Sequence, residues 1–118
     1  MDESNEILTD IKQRLNIESS TTEFDTDVIF EINSAFFVLN SLGIGPEEPF
    51  SVDEDTTWDS FETSVPLSTV GEYIYLKSKL VFDPPPSTSV QQSYQNRLDE
   101  IAFYMNVFVD NGGGSVTG

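Results

Sequence analysis

The spacing of the apolar residues predicts four helices. In residues 3–17 they recur about every four positions, and residues 88–109 carry the clearest helical period of the chain. Residues 26–42 and 69–82 each have a helical stripe with further apolar residues on other faces. The pattern therefore predicts an all-α fold with four main helices, of which the second is apolar nearly all round.

Residues with known preferences for helix ends mark the predicted boundaries. Asp25 has the side chain of an N-cap for the second helix, and Gly43 is typical of the position just after a helix end. Asp83 precedes proline and must end the third helix. Ser87 then caps the fourth helix, and the three prolines before it form a stiff corner.

A long acidic connection, residues 44–67, separates the second helix from the third. Seven acids and no base lie between Glu47 and Glu62. Connections of this length are uncommon in a small domain and tend to be functional. Within it, TTWDSF predicts a short helical turn with Trp58 and Phe61 facing inward.

The chain is predicted to form a single helical domain over residues 1–110, followed by a glycine-rich tail over residues 111–118. The tail is flexible by composition. Its GGGSVTG run lacks the lysine and the following helix of a phosphate-binding loop. We expect a partner or a neighbouring subunit to hold this tail in place.

Composition excludes several kinds of chemistry. The 118 residues are 37% hydrophobic, which is enough for one core, and they include no cysteine and no histidine. Disulfides, thiolate ligands and the commonest general base are therefore absent. The acidic start is unlike a secretory signal, and the longest charge-free stretch, residues 32–46, is too short to span a bilayer. We expect a soluble protein made in a cytoplasm.

The net charge of −16 is unevenly distributed. Residues 1–62 carry sixteen acids and two bases, whereas residues 63–118 carry five acids and three bases. A chain of this charge repels nucleic-acid phosphates and anionic membranes. The charge thus argues against specific nucleic-acid binding and against a membrane partner.

The acids do not form a recognisable catalytic or metal motif. A calcium loop that begins at Asp53 would need glycine and glutamate where the chain has Trp58 and Ser64. Pairs such as Asp25 and Asp27 are expected by chance among 21 acids. We therefore predict no catalytic residue, no metal ligand, no cofactor and no enzymatic activity.

The aromatic content exceeds what one small helical core requires. The chain has nine Phe, four Tyr and one Trp, and three helices have more than one apolar stripe. Interfaces between subunits are enriched in aromatic residues. We expect at least one apolar face to be intermolecular, and the candidate subunit-interface residues are Phe30, Phe37, Tyr75, Lys77, Lys79, Phe103 and Tyr104.

Three stretches in order, FDTDVIFEINSAFFVLNSLGIGP, TTWDSF and YIYLKSKLVFDPPPS, precede the last amphipathic helix. In this order the sequence, over residues 5–108, resembles the head–tail connector (adaptor or head-completion) proteins of long-tailed bacteriophages. The resemblance implies an all-helical virion subunit without enzymatic activity. It also implies a ring of about twelve copies that docks under the portal protein and bridges to the next neck (stopper or tail-completion) protein, with synthesis in the host bacterial cytoplasm.

If the chain forms such a ring, its charge, its tail and its third helix suggest roles for three groups of residues. DNA would only pass through the ring, along a channel that carboxylates line: Glu47, Glu48, Asp53, Glu54 and Asp55. The end of the last helix and the tail would dock on the portal: Val107, Phe108, Asn111, Gly112, Gly113, Gly114 and Val116. Lys77 and Lys79 point to different faces of the third helix; we expect one to meet acids of its own subunit and the other a neighbour, and the alternative is that both are solvated.

Two other functions fit part of the sequence. An acidic protein that mimics DNA could inhibit a host nucleic-acid-binding protein, but here the acids cluster in one half and one loop. A small helical regulator could bind partner helices through its fourth helix. The mass of the purified protein, alone and with the portal, separates these functions from an adaptor ring.

Overall fold

The computed structural model describes residues 5–109. These residues form four α-helices and one short 3-10 turn, and in this part of the chain there is no strand, only an isolated antiparallel bridge between Glu6 and Thr57. The predicted all-α class is confirmed. The helices are α1 (Ile7–Arg14), α2 (Asp25–Ser41), α3 (Leu67–Phe82) and α4 (Thr88–Phe108), and the 3-10 turn is Trp58–Ser60.

Helix α1 is shorter than the predicted 3–17. At its start, the amide of Ile7 donates to the carbonyl of Thr56, 2.9 Å away, so the chain before the helix runs beside the α2–α3 connection. At its end, Asn16 has a φ of 64°, in the left-handed region that stops a helix. Both ends thus depend on a tertiary contact and on turn geometry, and neither can be predicted from the spacing of the apolar residues.

Helix α3 is the centre of the packing. It lies against both α2 and α4, while α1 packs on α2 and α3. Helices α2 and α4 meet at their C-terminal ends, where the side-chain amide of Asn106 donates to the carbonyl of Leu42 at 3.1 Å. The core residues with no or almost no exposed surface include Ile7, Ile11, Val28, Ile32, Phe36, Leu39, Val70, Ile74 and Met105.

Three of the predicted helix ends are confirmed. Gly43 follows α2 with a φ of 82°, and the amide after it donates to the carbonyl of Leu39, as in a Schellman motif. Asp83 ends α3 in an extended conformation. The Ser87 hydroxyl accepts from the amide of Val90 and so caps α4.

The prediction that Asp25 caps α2 is wrong. The N-cap is Phe24, whose side chain makes no capping bond, and Asp25 is the first helical residue. Its carboxylate lies 2.7 Å from Nζ of Lys12, whose side chain is only 3% exposed. Lys12 also donates to the carbonyls of Thr21 (2.6 Å) and Ser19 (3.3 Å). A buried ammonium needs partners for its charge. The Asp25 carboxylate is one of these partners, and it makes no capping bond to the amides at the start of α2.

Two asparagines of α2 hold the connection that leads to α3. Asn33 accepts from the amide of Val52 (2.7 Å) and donates to the carbonyl of the same residue (3.3 Å). Seven residues later, Asn40 donates to the carbonyls of Pro46 and Glu47. One side of α2 therefore supplies hydrogen bonds that the connecting backbone would otherwise lack.

The predicted inward positions of Trp58 and Phe61 are confirmed, since both are buried. The Trp58 indole N–H donates to Asp10 at 2.9 Å and so attaches the 3-10 turn to α1. Phe61 packs with Phe36 and Phe50, with ring centroids 4.8–5.0 Å apart. The connection therefore belongs to the core on its inner side.

Gly45 makes this aromatic cluster possible. Its φ is 91°, and a Cβ at this position would lie 2.5 Å from the ring of Phe61. Only glycine combines this backbone conformation with such a close approach. The exit from α2 thus fixes where the ring of Phe61 can lie.

Candidate interaction surface

Helix α2 presents an uncharged, aromatic stripe to solvent. Phe30 and Phe37 are 68% and 64% exposed and lie two turns apart on one face. We define the α2 stripe by the residues that share this face: Thr26, Phe30, Ser34, Phe37 and Ser41. Large apolar side chains clustered on a surface mark a site of association with another molecule.

A second aromatic surface lies near the end of α4. Phe103 is 71% exposed and Tyr104 is 49% exposed, while Val107, one turn further along, is half-buried. The rings of Tyr104 and Phe108 lie 6.2 Å apart. We call Phe103, Tyr104 and Val107 the α4 patch. It lies on a different helix from the α2 stripe, so residues 5–109 include at least two separate exposed aromatic surfaces.

Four of the five basic residues form ion pairs within the chain. The pair of Lys79 with Asp83 measures 2.7 Å, and this bond raises the pKa of the lysine. Arg97 is bound by both carboxylate oxygens of Glu72, which raises the pKa of its guanidinium. The pairs are Lys12–Asp25, Arg14–Asp10, Lys79–Asp83 and Arg97 with Glu72 and Glu100.

Lys77 is the fifth basic residue, and it forms no ion pair within residues 5–109. It lies in a groove of about 250 Å³ between α3 and α4. Val81, also in this groove, is more than half exposed. The α3–α4 groove is lined by Tyr73, Lys77, Leu80, Val81, Gln95, Leu98, Asp99 and Ala102. Burial and the nearby charge of Asp99 raise the pKa of the Tyr73 phenol.

The structure distributes the seven predicted interface residues over four places. Phe30 and Phe37 are in the α2 stripe, Phe103 and Tyr104 are in the α4 patch, and Lys77 is in the α3–α4 groove. Tyr75 and Lys79, four positions apart, occupy another face of α3, where Tyr75 is half-buried against the core. The subunit-interface assignment stays a prediction. Sequence reasoning missed Val81 as a surface residue, because its place in the helical period indicates the core.

The predicted portal-docking residues are only partly described. Val107 and Phe108 are half-buried at the end of α4, where Phe108 packs against the core. The others, Asn111, Gly112, Gly113, Gly114 and Val116, lie outside the described residues, as does the whole tail 111–118. Their docking role and the expected holding of the tail stay predictions.

The five acids assigned to a DNA channel, Glu47, Glu48, Asp53, Glu54 and Asp55, are all exposed on the α2–α3 connection. Asp53 has a local structural role. Its Oδ1 accepts from the amide of Asp55 and the hydroxyl of Thr56, both at 2.9 Å. These bonds, the one from Asp55 first, lower the pKa of Asp53 below its ordinary 3.8. Among the described residues, no group of acids could hold a metal ion.

Exposed aromatic surfaces on two helices, as residues 5–109 have them, are typical of proteins that act by assembling with other chains. No helix in the part described is long and apolar enough to cross a membrane. The family model of the phage connector protein matches residues 7–112, and the chain therefore belongs to the phage connector protein family. No curated protein and no solved structure matches the chain.

Family membership confirms the resemblance seen in the sequence. The chain is a structural protein of the phage virion, and the family is a structural rather than an enzymatic one. Membership also implies assembly with other head and tail proteins of the phage.

Proposed function

We propose that the chain forms an adaptor ring at the head–tail joint of a tailed phage. The ring, of about twelve copies, lies between the portal and the next neck protein, and DNA passes through its centre. The observation that carries this proposal is the pair of uncovered aromatic surfaces, the α2 stripe and the α4 patch. Two phenylalanines this exposed on one helix face, with Phe103 exposed on another helix, are typical of surfaces that another chain covers.

A closed ring uses a different face of each copy on its two sides. Helices α2 and α4 lie on separate sides of α3 and meet mainly at their C-terminal ends. The outward face of α2 and the surfaces around α4 can therefore contact two different neighbours. This arrangement supports a head-to-tail assembly rather than a two-fold dimer.

The acidic connection supports the DNA channel. It is attached to α2 through Asn33 and Asn40, and Asn33 lies roughly 60° around the helix from Phe30. The exposed carboxylates therefore stand beside the α2 stripe and not on it. Carboxylates in a channel repel the DNA phosphates, so that DNA slides through without binding.

The docking of the ring on the portal is assigned to the end of α4 and the tail. The α4 patch lies just before the tail, and Val107 belongs to both the patch and the predicted docking residues. Deletion of residues 111–118 should abolish docking on the portal and leave the helical content, measured by circular dichroism, unchanged. Normal docking of the deletion variant would refute this assignment.

The ring is tested by mixing purified protein with purified portal and imaging the complex. Wild-type protein should add a closed ring. Phe30→Ser/Phe37→Ser should keep its thermal stability, because both side chains are exposed, but should give few or no rings. Val90→Ser removes an exposed apolar residue from the start of α4 and is the control that should form normal rings. A wild-type chain that stays monomeric beside the portal would refute the proposed function.

A further inference from the structure

We propose that the α2 stripe of one copy packs into the α3–α4 groove of the next copy, where Lys77 pairs with the carboxylates of Asp27 and Glu31. This inference rests on the proposed ring and specifies which two surfaces form its seam. The occupant of the groove is thus a second copy of the same chain.

The first argument is charge. Lys77 is the one cation without an ion pair in the described range, and it lies half-buried in the groove. Its own groove supplies one nearby acid, Asp99, and an ammonium with three donors has capacity for further carboxylates. Asp27 and Glu31 flank the α2 stripe on one side and have no cationic partner within residues 5–109. Opposite charges at the edge of an apolar contact fix its register.

The second argument is shape and polarity. The α2 stripe is convex, because the rings of Phe30 and Phe37 stand out from the helix with the small Ser34 between them. The α3–α4 groove is concave, with a volume of about 250 Å³, and Leu80, Val81 and Ala102 give it apolar walls. A protruding ring that enters such a groove loses its contact with water at both surfaces.

The third argument is that the two surfaces lie at the same height along the axis of the helical bundle. Phe24, just before α2, and Phe82, at the end of α3, line one pocket and so lie side by side. Phe30 lies six residues beyond Phe24, about 9 Å along the helix, and Lys77 lies five residues before Phe82, about 8 Å. Because the two helices run in opposite directions, Phe30 and Lys77 lie at nearly the same height.

The heights of the carboxylates agree with this placement. On the same scale Asp27 lies about 5 Å and Glu31 about 11 Å beyond Phe24, so Lys77 lies between them. Copies related by rotation about an axis parallel to the helices would therefore bring the ammonium between the two carboxylates without any shift along the axis. A closed ring relates its copies by rotation without a shift along its axis, so the heights match in a ring whose axis is parallel to the helices.

Charge exchange tests the pairing in the portal-binding experiment. Lys77→Glu places a new carboxylate beside Asp99, Asp27 and Glu31 in the seam, and we expect the yield of complete rings to fall at least about tenfold. Lys77→Glu/Glu31→Lys restores an opposite-charge pair, and its yield should return to within about threefold of wild type. Ser20→Glu/Ser64→Glu adds the same net charge at two exposed positions and should leave the ring yield unchanged.

Disulfide formation tests the contact independently of charge. Thr26 of the α2 stripe and Val81 of the groove are both exposed and lie at nearly the same height, about 3 Å from Phe24 and about 1.5 Å from Phe82. The chain has no cysteine, so Thr26→Cys/Val81→Cys carries only the introduced thiols. Mild oxidation of assembled rings should give a ladder of covalent multimers, and oxidation of dilute free protein should not. The single variants Thr26→Cys and Val81→Cys should give no ladder.

The outcomes separate the two proposals. Rings that form normally with Lys77→Glu, or that give no ladder with the cysteine pair, would overturn the pairing and leave the adaptor ring standing. Absence of rings in the wild-type protein would instead overturn the proposed function.

Discussion

Nζ of Lys12 and Oδ1 of Asp25 lie 2.7 Å apart and join the last part of α1 to the first turn of α2. The lysine is buried, and it also binds two carbonyls of the link between the helices. The Oδ1 contact lacks the alignment of a hydrogen bond, so its attraction is ionic. One buried side chain thus links α1, α2 and the segment between them.

Lys12→Met should destabilise the fold by about 3 kcal/mol, because Asp25 and two carbonyls lose their partner in a buried place. The free energy of unfolding in urea measures this cost. Lys79→Met is the control, since it breaks the more exposed pair with Asp83 and should cost under about 1 kcal/mol. Equal losses in the two variants would show that Lys12 is not a buried structural cation.

Asn33→Ala should destabilise the fold by about 1–3 kcal/mol, because the amide and the carbonyl of buried Val52 lose their partner. Hydrogen exchange at the Val52 amide should also become faster. Asn40→Ala is the comparison: its bonds to Pro46 and Glu47 are exposed, and water replaces them at lower cost. A larger loss for Asn40→Ala would contradict the assignment of Asn33 as the main attachment of the connection.

Gly45→Ala should cost at least about 2 kcal/mol, since it adds a clash with the Phe61 ring to the strain of a positive φ. Gly43→Ala has the positive φ without the clash, because the nearest atom to its new Cβ is 3.9 Å away. It should therefore cost only about 1 kcal/mol. Thermal unfolding of both variants measures the difference, and similar melting temperatures would disprove the steric argument.

Asp53 should titrate below 3.8, because its ionised form accepts bonds from Asp55 and Thr56. A lowered pKa in the fold means that this carboxylate stabilises the turn above pH 3.8 and that the contribution is lost as pH falls through the lowered value. Thr56→Val removes one donor and should move the pKa of Asp53 upward. An NMR titration of the side-chain carboxyl measures this.

The neighbouring hydroxyl of Ser51 provides the control for that titration. It makes no bond to Asp53, so Ser51→Ala should leave the titration of Asp53 in place. A pKa of Asp53 that is the same in wild type and in Thr56→Val would show that the hydroxyl does not hold the carboxylate.

Local signals in the sequence predicted the elements well. Gly43 and Ser87 end and begin helices through bonds within a few residues, and such bonds are readable from the chain itself. The excess of apolar faces likewise indicated that side chains such as Phe30 and Phe37 remain outside the core. Helical period and capping preference are properties of short segments, which is why this part of the prediction holds.

Contacts between residues that are far apart in the chain could not be predicted from the sequence. Asp25 is a residue type that helix N-caps prefer, yet its carboxylate pairs with Lys12, thirteen positions earlier. The ammonium of Lys12 is buried, and a buried charge without a partner is strongly destabilising. In the sequence, Asn33 is a polar residue in an apolar helix with no evident role. In the structure, its side chain accepts a hydrogen bond from the amide of Val52. Which acids face a channel depends on the assembly and not on one chain.

The two asparagines of α2 have one more consequence. A helix with apolar side chains on nearly every side could be buried equally well in several rotational settings, because hydrophobic contact does not depend on direction. Hydrogen bonds do depend on direction, and those of Asn33 and Asn40 can form in one setting only. The two amides thus favour the rotational setting in which Phe36 is buried and Phe30 and Phe37 face solvent.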